Sequence, residues 1–263
     1  MANLTTSAHS YSSMDTGTKS TDIPLEYGPL VVLTSALCFQ AASKVVDLIG
    51  IPKSAQDTEF RRWRFKNITI SLLHSALTGP WSLLCFYLQP KLAEDLISTY
   101  SVIALTLVST SVGYFVHDII DMAWSYRNRQ NYELMLHHAV GIICFGVAVV
   151  YHRYMGYAVV ALIVELNSIF LHIRQLLLIC KVPKTSSIYR LTSLINIGTF
   201  IMFRISTMAW MTRWLVYNRD KVPFLMFTLG SLGMAIMTVM NIVLFCRILY
   251  SDFFRKGKLK KTD

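Results

Sequence analysis

The sequence predicts an all-α fold, a polytopic transmembrane helical bundle of about seven spans with the N-terminus outside and the C-terminus cytoplasmic. Three observations support this. Hydrophobic residues make up 54% of the 263 residues and charged residues only 15%, whereas roughly a quarter of a soluble domain is charged. The apolar residues come in runs of about 20, enough to cross a hydrocarbon core of about 30 Å. The cations are divided unequally between the two sets of loops.

Seven apolar segments follow one another along the chain. They cover residues 29–49, 67–88, 97–122, 134–151, 156–180, 188–215 and 223–250. The connections between them are short, which favours one folding unit over two. The fourth segment is the shortest, so a bundle of six spans is the alternative.

The two ends of the chain differ from this pattern. Residues 1–27 are rich in Ser and Thr and lack an apolar block, so they are predicted to form a disordered tail rather than a signal peptide. Residues 28–59 hold the first span and a linker, and residues 60–254 hold the rest of the membrane domain. Residues 255–263 form a basic tail, predicted to be cytoplasmic.

The distribution of Lys and Arg sets the predicted orientation. With the N-terminus outside, 15 cations fall in cytoplasmic segments and 6 in outer ones, as the positive-inside rule expects. The net charge of +10 therefore lies beside the membrane, where anionic lipid headgroups at the basic loops are the expected partners. A nucleic acid is not an expected partner.

Ionisable side chains within spans are costly and are functional candidates by default. The third span ends with His117, Asp118 and Asp121, and the fourth begins with His137 and His138. In the predicted topology these groups lie at the same ends of their helices. They are therefore expected to meet in one cavity, although cross-linking of helices would require the same residue types.

The fifth and sixth spans add a second set of polar residues. Glu165, Ser168 and His172 are spaced by three and then four residues, so they share one helix face. Arg174 follows them, and Arg204 lies within the sixth span. Together with His117, these residues are predicted to form the polar lining of a lipid cavity.

Histidine next to a carboxylate can act as a general base or a nucleophile. A metal site is not predicted, because the chain lacks the repeated H-x-x-x-H and H-x-x-H-H boxes of membrane di-iron oxidases. The G-x-S-x-G motif of serine hydrolases is also missing.

Several short motifs occur in an order and spacing that resemble the TLC-domain family. They are Trp63-Arg-Phe-Lys-Asn67, Leu73-His-Ser75, Gly113-Tyr-Phe-Val-His-Asp118, His137-His138, Val164-Glu-Leu-Asn-Ser-Ile-Phe-Leu-His172 and Leu249-Tyr-Ser-Asp-Phe253. The resemblance runs over residues 60–254, which are therefore expected to be a TLC domain. The family includes ceramide synthases, translocating-chain-associated proteins and a subgroup of small lipid-linked membrane proteins, which this chain resembles most.

The resemblance to that subgroup implies a multi-pass protein of the plasma membrane that regulates phospholipid acyl composition and membrane fluidity. It would limit the incorporation of polyunsaturated chains and so promote rigidity. The expected partners are membrane phospholipids or fatty acyl chains, and no cofactor is required.

The resemblance to ceramide synthases implies a different function, acyl-CoA-dependent acyl transfer with acyl-CoA as substrate. His137, His138, Asp118 and Asp121 match the catalytic positions of those enzymes. However, Gly141 stands where their signature has a threonine, which argues against acylation of sphingoid bases. A channel accessory or transporter is a third hypothesis, because intramembrane charges also line ion paths.

The last residues bear on localisation. Lys260 and Lys261 occupy the fourth and third positions from the end of the chain. On a cytoplasmic tail this resembles a dilysine retrieval signal, so the endoplasmic reticulum is the alternative to the plasma membrane.

Overall fold

The computed structural model describes residues 26–126 and 128–254. The helices in these ranges are α1 Tyr27–Ile49, α2 Glu59–Leu88, α3 Lys91–Glu94, α4 Val102–Ser125, α5 Arg129–Tyr151, α6 Met155–Leu162, α7 Glu165–Ile179, α8 Ser187–Thr199, α9 Ser206–Tyr217 and α10 Phe224–Leu249. Short 3₁₀ turns cover Lys53–Ala55 and Arg219–Lys221, and π-helical segments cover Phe200–Ile205 and Tyr250–Phe254.

The predicted fold class is confirmed. The described residues are helical or irregular without strands, and they contain seven helical stretches long and apolar enough to cross a membrane. The N-outside orientation stays a prediction. The tails predicted over residues 1–27 and 255–263 lie outside the described residues apart from Glu26 and Tyr27, and α1 already begins at Tyr27.

The second span begins earlier than its predicted start at residue 67. Helix α2 starts at Glu59, because the side chain of Thr58 accepts a hydrogen bond from the backbone N–H of Arg61 and caps the first turn. The predicted limits missed residues 59–66 because charged residues alternate there with aromatic ones and interrupt the apolar run. The first turns of α2 therefore place Trp63 and Asn67 beside α4.

The fourth apolar segment belongs to a helix long enough to cross a membrane, longer than the predicted limits 134–151 suggested. Helix α5 has 23 residues and begins at Arg129, capped by Asn128, whose side-chain oxygen accepts from the N–H of Asn131 at 2.9 Å. The predicted segment began too late because the first turn of α5 is polar. The structure thus favours seven spans over six.

Two of the spans are interrupted in the middle. Between α6 and α7 the backbone tightens to i→i+3 hydrogen bonds around Ile163 and Val164. Between α8 and α9 the chain forms the π-helical segment Phe200–Ile205. Such irregular turns are often found at functional sites, and here they orient Glu165 and Arg204.

Helix α4 is the centre of the bundle and the most buried of the seven spans. Its residues Leu105, Leu107 and Val108 are fully buried and pack with Val159 of α6 in the largest apolar cluster. Helix α1 lies on the outside of α4 and has few buried residues, so its attachment depends on how closely the two helices approach.

Gly113 of α4 permits that approach. A Cβ atom at this position would lie only 2.7 Å from the Cβ of Ser35 on α1, and it would also collide with the backbone carbonyl of Val32. Small residues at helix crossings let membrane helices pack closely without a hydrophobic driving force.

The variant Gly113→Val is therefore expected to separate α1 from the bundle and to lower the free energy of unfolding by about 1–3 kcal/mol or more. The measurement is the midpoint of thermal unfolding in detergent, together with the yield of monodisperse protein. Gly146→Val on α5 is the control, because a Cβ there meets no atom within 4 Å. Equal effects of the two variants would contradict this account of Gly113.

Candidate functional site

A polar cavity of about 760 Å³ lies among α2, α4, α5, α7 and α10. This volume is within the range of about 300–1,000 Å³ that is usual for ligand sites. Its polar lining includes Arg64, Asn67, Ser75, Arg129, Glu133, His137, His138, Glu165, Ser168, His172, Arg174, Arg204, Asn241 and Arg247. Most of the predicted cluster therefore does face one shared space.

A second, apolar cavity of about 150 Å³ adjoins the polar one. Both are lined by Phe115, His137, Glu165, Arg204 and Asn241, which form their common boundary. The apolar cavity extends along α5 as far as Ala148, eleven residues from His137 and hence about 16 Å away at 1.5 Å per residue.

Several methionines line the apolar cavity. The five that line it are Met208, Met211, Met226, Met234 and Met237. A dry cavity of about 150 Å³ can hold a group the size of benzene. Methionine side chains are unbranched and flexible, so this wall can adapt to a longer apolar ligand.

The two adjacent histidines have different surroundings. His138 is buried, its ring stacks on Phe115 with 4.8 Å between the ring centroids, and its Nδ1 lies 3.2 Å from Oδ2 of Asp118. The angles at this contact are not those of a good hydrogen bond. His137 is half-buried and lines both cavities. His138 is thus held from behind by a carboxylate, whereas His137 lies at the boundary.

The two predicted aspartates support the site from outside it. Asn67 Nδ2 donates to Asp118 Oδ1 at 2.6 Å and to Asp121 Oδ2 at 3.1 Å, and Trp63 Nε1 donates to Asp121 Oδ2 at 2.9 Å. Among the described residues that line either cavity, neither aspartate is present, and His117 is missing as well. The structure therefore does not bring His117 to the predicted polar lining.

The residues that hold these aspartates were not predicted as site residues. Trp63 and Asn67 belong to a motif that supported the family resemblance. The motif did not show that α2 packs against α4 so that these two side chains reach the aspartates. Because Asn67 also lines the polar cavity, it connects the aspartates to that space.

The predicted stripe on α7 lines the polar cavity as a unit. Glu165, Ser168 and His172 all face it, and Ser75 of α2 donates a hydrogen bond to Glu165 Oε2 at 2.8 Å. Ser75 belongs to the motif Leu73-His-Ser75, which supported the family resemblance but did not predict a role for this serine.

Arg204 is buried at the boundary between the cavities. Its guanidinium donates to Asn167 Oδ1 at 2.7 Å, Asn241 Oδ1 at 2.9 Å and Ser168 Oγ at 2.6 Å. Among the described residues, no carboxylate oxygen lies within 4.0 Å of it. Arg204 therefore carries a positive charge held by neutral acceptors, with the carboxylate of Glu165 lining the same space.

Arg174 has a structural partner that sequence reasoning missed. It forms a buried ion pair with Asp252 in the π-helical segment Tyr250–Phe254, and its Nε lies 2.8 Å from Asp252 Oδ2. Tyr189 of α8 also donates to Asp252 Oδ1 at 2.8 Å. Ser193 of the same helix donates to Asp252 Oδ2. The motif Leu249-Tyr-Ser-Asp-Phe253 contains Asp252 and could have indicated its importance. Only the fold shows that Asp252 joins α7, α8 and the end of α10.

In the described part of the chain, His, Cys, Asp and Glu side chains are not grouped in sets of three or more that could hold a metal ion. The polar cavity therefore offers hydrogen-bond donors, acceptors and charges, but no candidate metal centre within residues 26–126 and 128–254.

Comparison with known proteins decides the family. The model of the TLC domain matches residues 64–250. The chain belongs to the TLC-domain family. The matched residues lie within the predicted range 60–254. They include all the residues that form the common boundary of the two cavities.

The TLC-domain chain is similar to two groups of named relatives. It is 51% identical over 213 residues to TLC domain-containing protein 2 of Danio rerio, covering 81% of this chain and 85% of that protein. It is 36% identical to the human protein 2, covering 86% and 84%. It is 30% identical to TLC domain-containing protein 1 of Rattus norvegicus, covering 85% and 89%. The predicted family is confirmed.

Proposed function

We propose that this TLC-domain membrane protein regulates phospholipid acyl composition and membrane fluidity by binding a lipid acyl chain in its helical cavity. The observation that carries the proposal is the contact between an apolar and a polar cavity at His137, Glu165 and Arg204. An amphiphile has the same division into an apolar chain and a polar group. The ligand is a membrane phospholipid or a fatty acyl chain.

The length of the apolar cavity supports an acyl chain as its occupant. Its length of about 16 Å along α5 is close to half of a hydrocarbon core of about 30 Å. That half is the thickness that one acyl chain occupies in one leaflet. The flexible methionines supply the additional width that the chain needs.

The direction of the regulation comes from the motifs rather than from the cavity. The resemblance to the small lipid-linked subgroup implies that the protein limits polyunsaturated phospholipids and promotes a rigid membrane. The proposed location is the plasma membrane, with the endoplasmic reticulum as the alternative. Replacing Lys260 and Lys261 by Ser and imaging the protein in cells distinguishes the two, because a retrieval signal would then be lost.

Lipidomics of cells that lack the protein tests this function. Polyunsaturated phospholipids should rise and bilayer order should fall, and re-expression of the wild type should restore both. Gly230 lines the apolar cavity, so Gly230→Phe is expected to fill it and to fail in the rescue.

Gly198→Phe is the matched control, because Gly198 is exposed on α8 and a Cβ there meets no atom within 4 Å. It should rescue as well as the wild type when the two are expressed equally. Unchanged lipids in the cells that lack the protein, or full rescue by Gly230→Phe, would contradict the proposal.

Acyl transfer is the second candidate function, favoured by the position of Asp118 behind His138. A histidine nitrogen would attack the thioester carbonyl of acyl-CoA, the C–S bond would break with release of the thiol of coenzyme A, and the acyl group would pass to an acceptor. Asp118 would stabilise the imidazolium that forms.

Purified protein supplied with labelled acyl-CoA and several acceptors tests this candidate. An enzyme should give acylated product that is lost in His137→Ala or His138→Ala and retained in His152→Ala, since His152 lies beyond the end of α5. Neither product nor protein-bound label in the wild type would exclude it.

A further inference from the structure

The mouth of the polar cavity, where α2, α5 and α10 end or begin, carries three arginines and one glutamate. Arg64, Arg129, Arg247 and Glu133 all line the cavity. Arg64 is half-buried and its guanidinium lies 6.0 Å from the ring centroid of Phe60. The mouth therefore has more positive than negative charge.

Glu133 is the counterion for two of these arginines. Arg247 of α10 holds it with both nitrogens, Nη1 at 2.6 Å from Oε2 and Nη2 at 2.9 Å from Oε1. Arg129 approaches Oε1 at 3.3 Å. Among the described residues, no carboxylate oxygen lies within 4.0 Å of Arg64. One carboxylate thus serves two arginines, and the third faces the cavity without one.

We propose that this mouth is a binding site for a phosphate group, the headgroup phosphate of the amphiphile whose acyl chain occupies the cavities. The inference rests on the proposed function and names the chemical class of its ligand. Arginine is suited to this site because its planar fork binds phosphate with two hydrogen bonds. The carboxylate of Glu133 occupies the fork of Arg247 in the absence of ligand, and the phosphate displaces it.

This exchange predicts opposite effects for the two members of one ion pair. Glu133→Gln removes a competing anion, so it should strengthen phosphate binding. Arg247→Gln removes a donor, so it should weaken binding. Both variants break the same contact between α5 and α10, and a purely structural ion pair would change binding in the same direction in both.

The experiment measures dissociation constants for the purified full-length protein in dodecyl maltoside, a detergent without phosphate, with three probes that carry the same oleoyl chain. Oleoyl lysophosphatidylcholine carries a phosphodiester, oleoyl-CoA carries the phosphates of coenzyme A, and monooleoylglycerol carries no phosphate. The phosphate probes should bind more tightly than monooleoylglycerol.

Arg64→Gln and Arg247→Gln should each weaken the phosphate probes by about tenfold to a hundredfold, as expected for one lost hydrogen bond between charged groups. Neither should change the binding of monooleoylglycerol. Arg219→Gln is the control, because Arg219 is exposed outside the spans and pairs with Asp220.

The outcomes separate the phosphate site from the acyl cavity. If the arginine substitutions weaken the binding of lysophosphatidylcholine, the phosphate belongs to a phospholipid. If they weaken only the binding of oleoyl-CoA, the phosphate belongs to coenzyme A. Equal binding of all three probes, or weaker phosphate binding in Glu133→Gln, would overturn the phosphate site and leave the acyl cavity intact. Failure of every probe to bind would also remove the proposed function.

Discussion

Replacing Asp252 by Ala is expected to lower the free energy of unfolding by about 3–5 kcal/mol, the usual result of removing one partner of a buried ion pair. The side chains of Arg174 and Asp252 are only 6% and 4% exposed. The substitution leaves the Arg174 guanidinium buried without a counterion and removes the acceptor of Tyr189 and Ser193. The end of α10 should therefore separate from α7 and α8.

Chemical denaturation in detergent and proteolysis near residue 252 measure this effect. Asp220→Ala is the control, because that carboxylate pairs with Arg219 in an exposed contact, which typically contributes no more than about 1 kcal/mol. Replacing both Arg174 and Asp252 by apolar residues should recover part of the loss, since no unpaired charge remains. A single variant as stable as the wild type would show that the ion pair does not hold α10.

Replacing Arg204 by Met is expected to abolish ligand binding at the boundary of the two cavities and to lower stability by about 1–3 kcal/mol, the cost of leaving buried polar groups without a partner. Asn167, Ser168 and Asn241 each accept from this one guanidinium. The measurements are the unfolding free energy and the dissociation constant for oleoyl lysophosphatidylcholine. Arg213→Met, outside both cavity linings in the described residues, should change neither.

The second substitution Glu165→Gln tests whether the two charges act together. Glu165 lines the same boundary as Arg204, and removal of the arginine leaves its carboxylate without the nearby positive charge. The double variant should therefore be less destabilised than the sum of the single ones, with a coupling of about 0.5–3 kcal/mol. Additive losses would mean that Arg204 stabilises the bundle only through its neutral acceptors.

The stripe Glu165, Ser168 and His172 illustrates what spacing alone can predict. Residues three or four apart share a helix face whatever the helix packs against, and in the structure all three line one cavity. The interrupted backbone at Val164 did not alter this, because the break precedes the stripe. The pair His137 and His138 was also predicted to face a cavity, and both line it.

His117 and the aspartates show where spacing was insufficient. The three residues were expected at the cavity because they are ionisable and close in sequence. The direction of a side chain depends on which face of α4 meets α2 and α5, and that is a property of packing. In the structure, Asp118 and Asp121 bind Asn67 behind the cavity lining.

The sequence by itself determined the membrane class, the number of spans and the family, because these follow from local composition, the length of apolar runs and short motifs. Tertiary structure alone decided the partners of the charges: Asp252 for Arg174, Glu133 for Arg247 and three neutral acceptors for Arg204. Two of these three sets of contacts join residues more than 70 positions apart. Buried charges must find partners in the fold, but nothing in the local sequence specifies which distant helix will supply them.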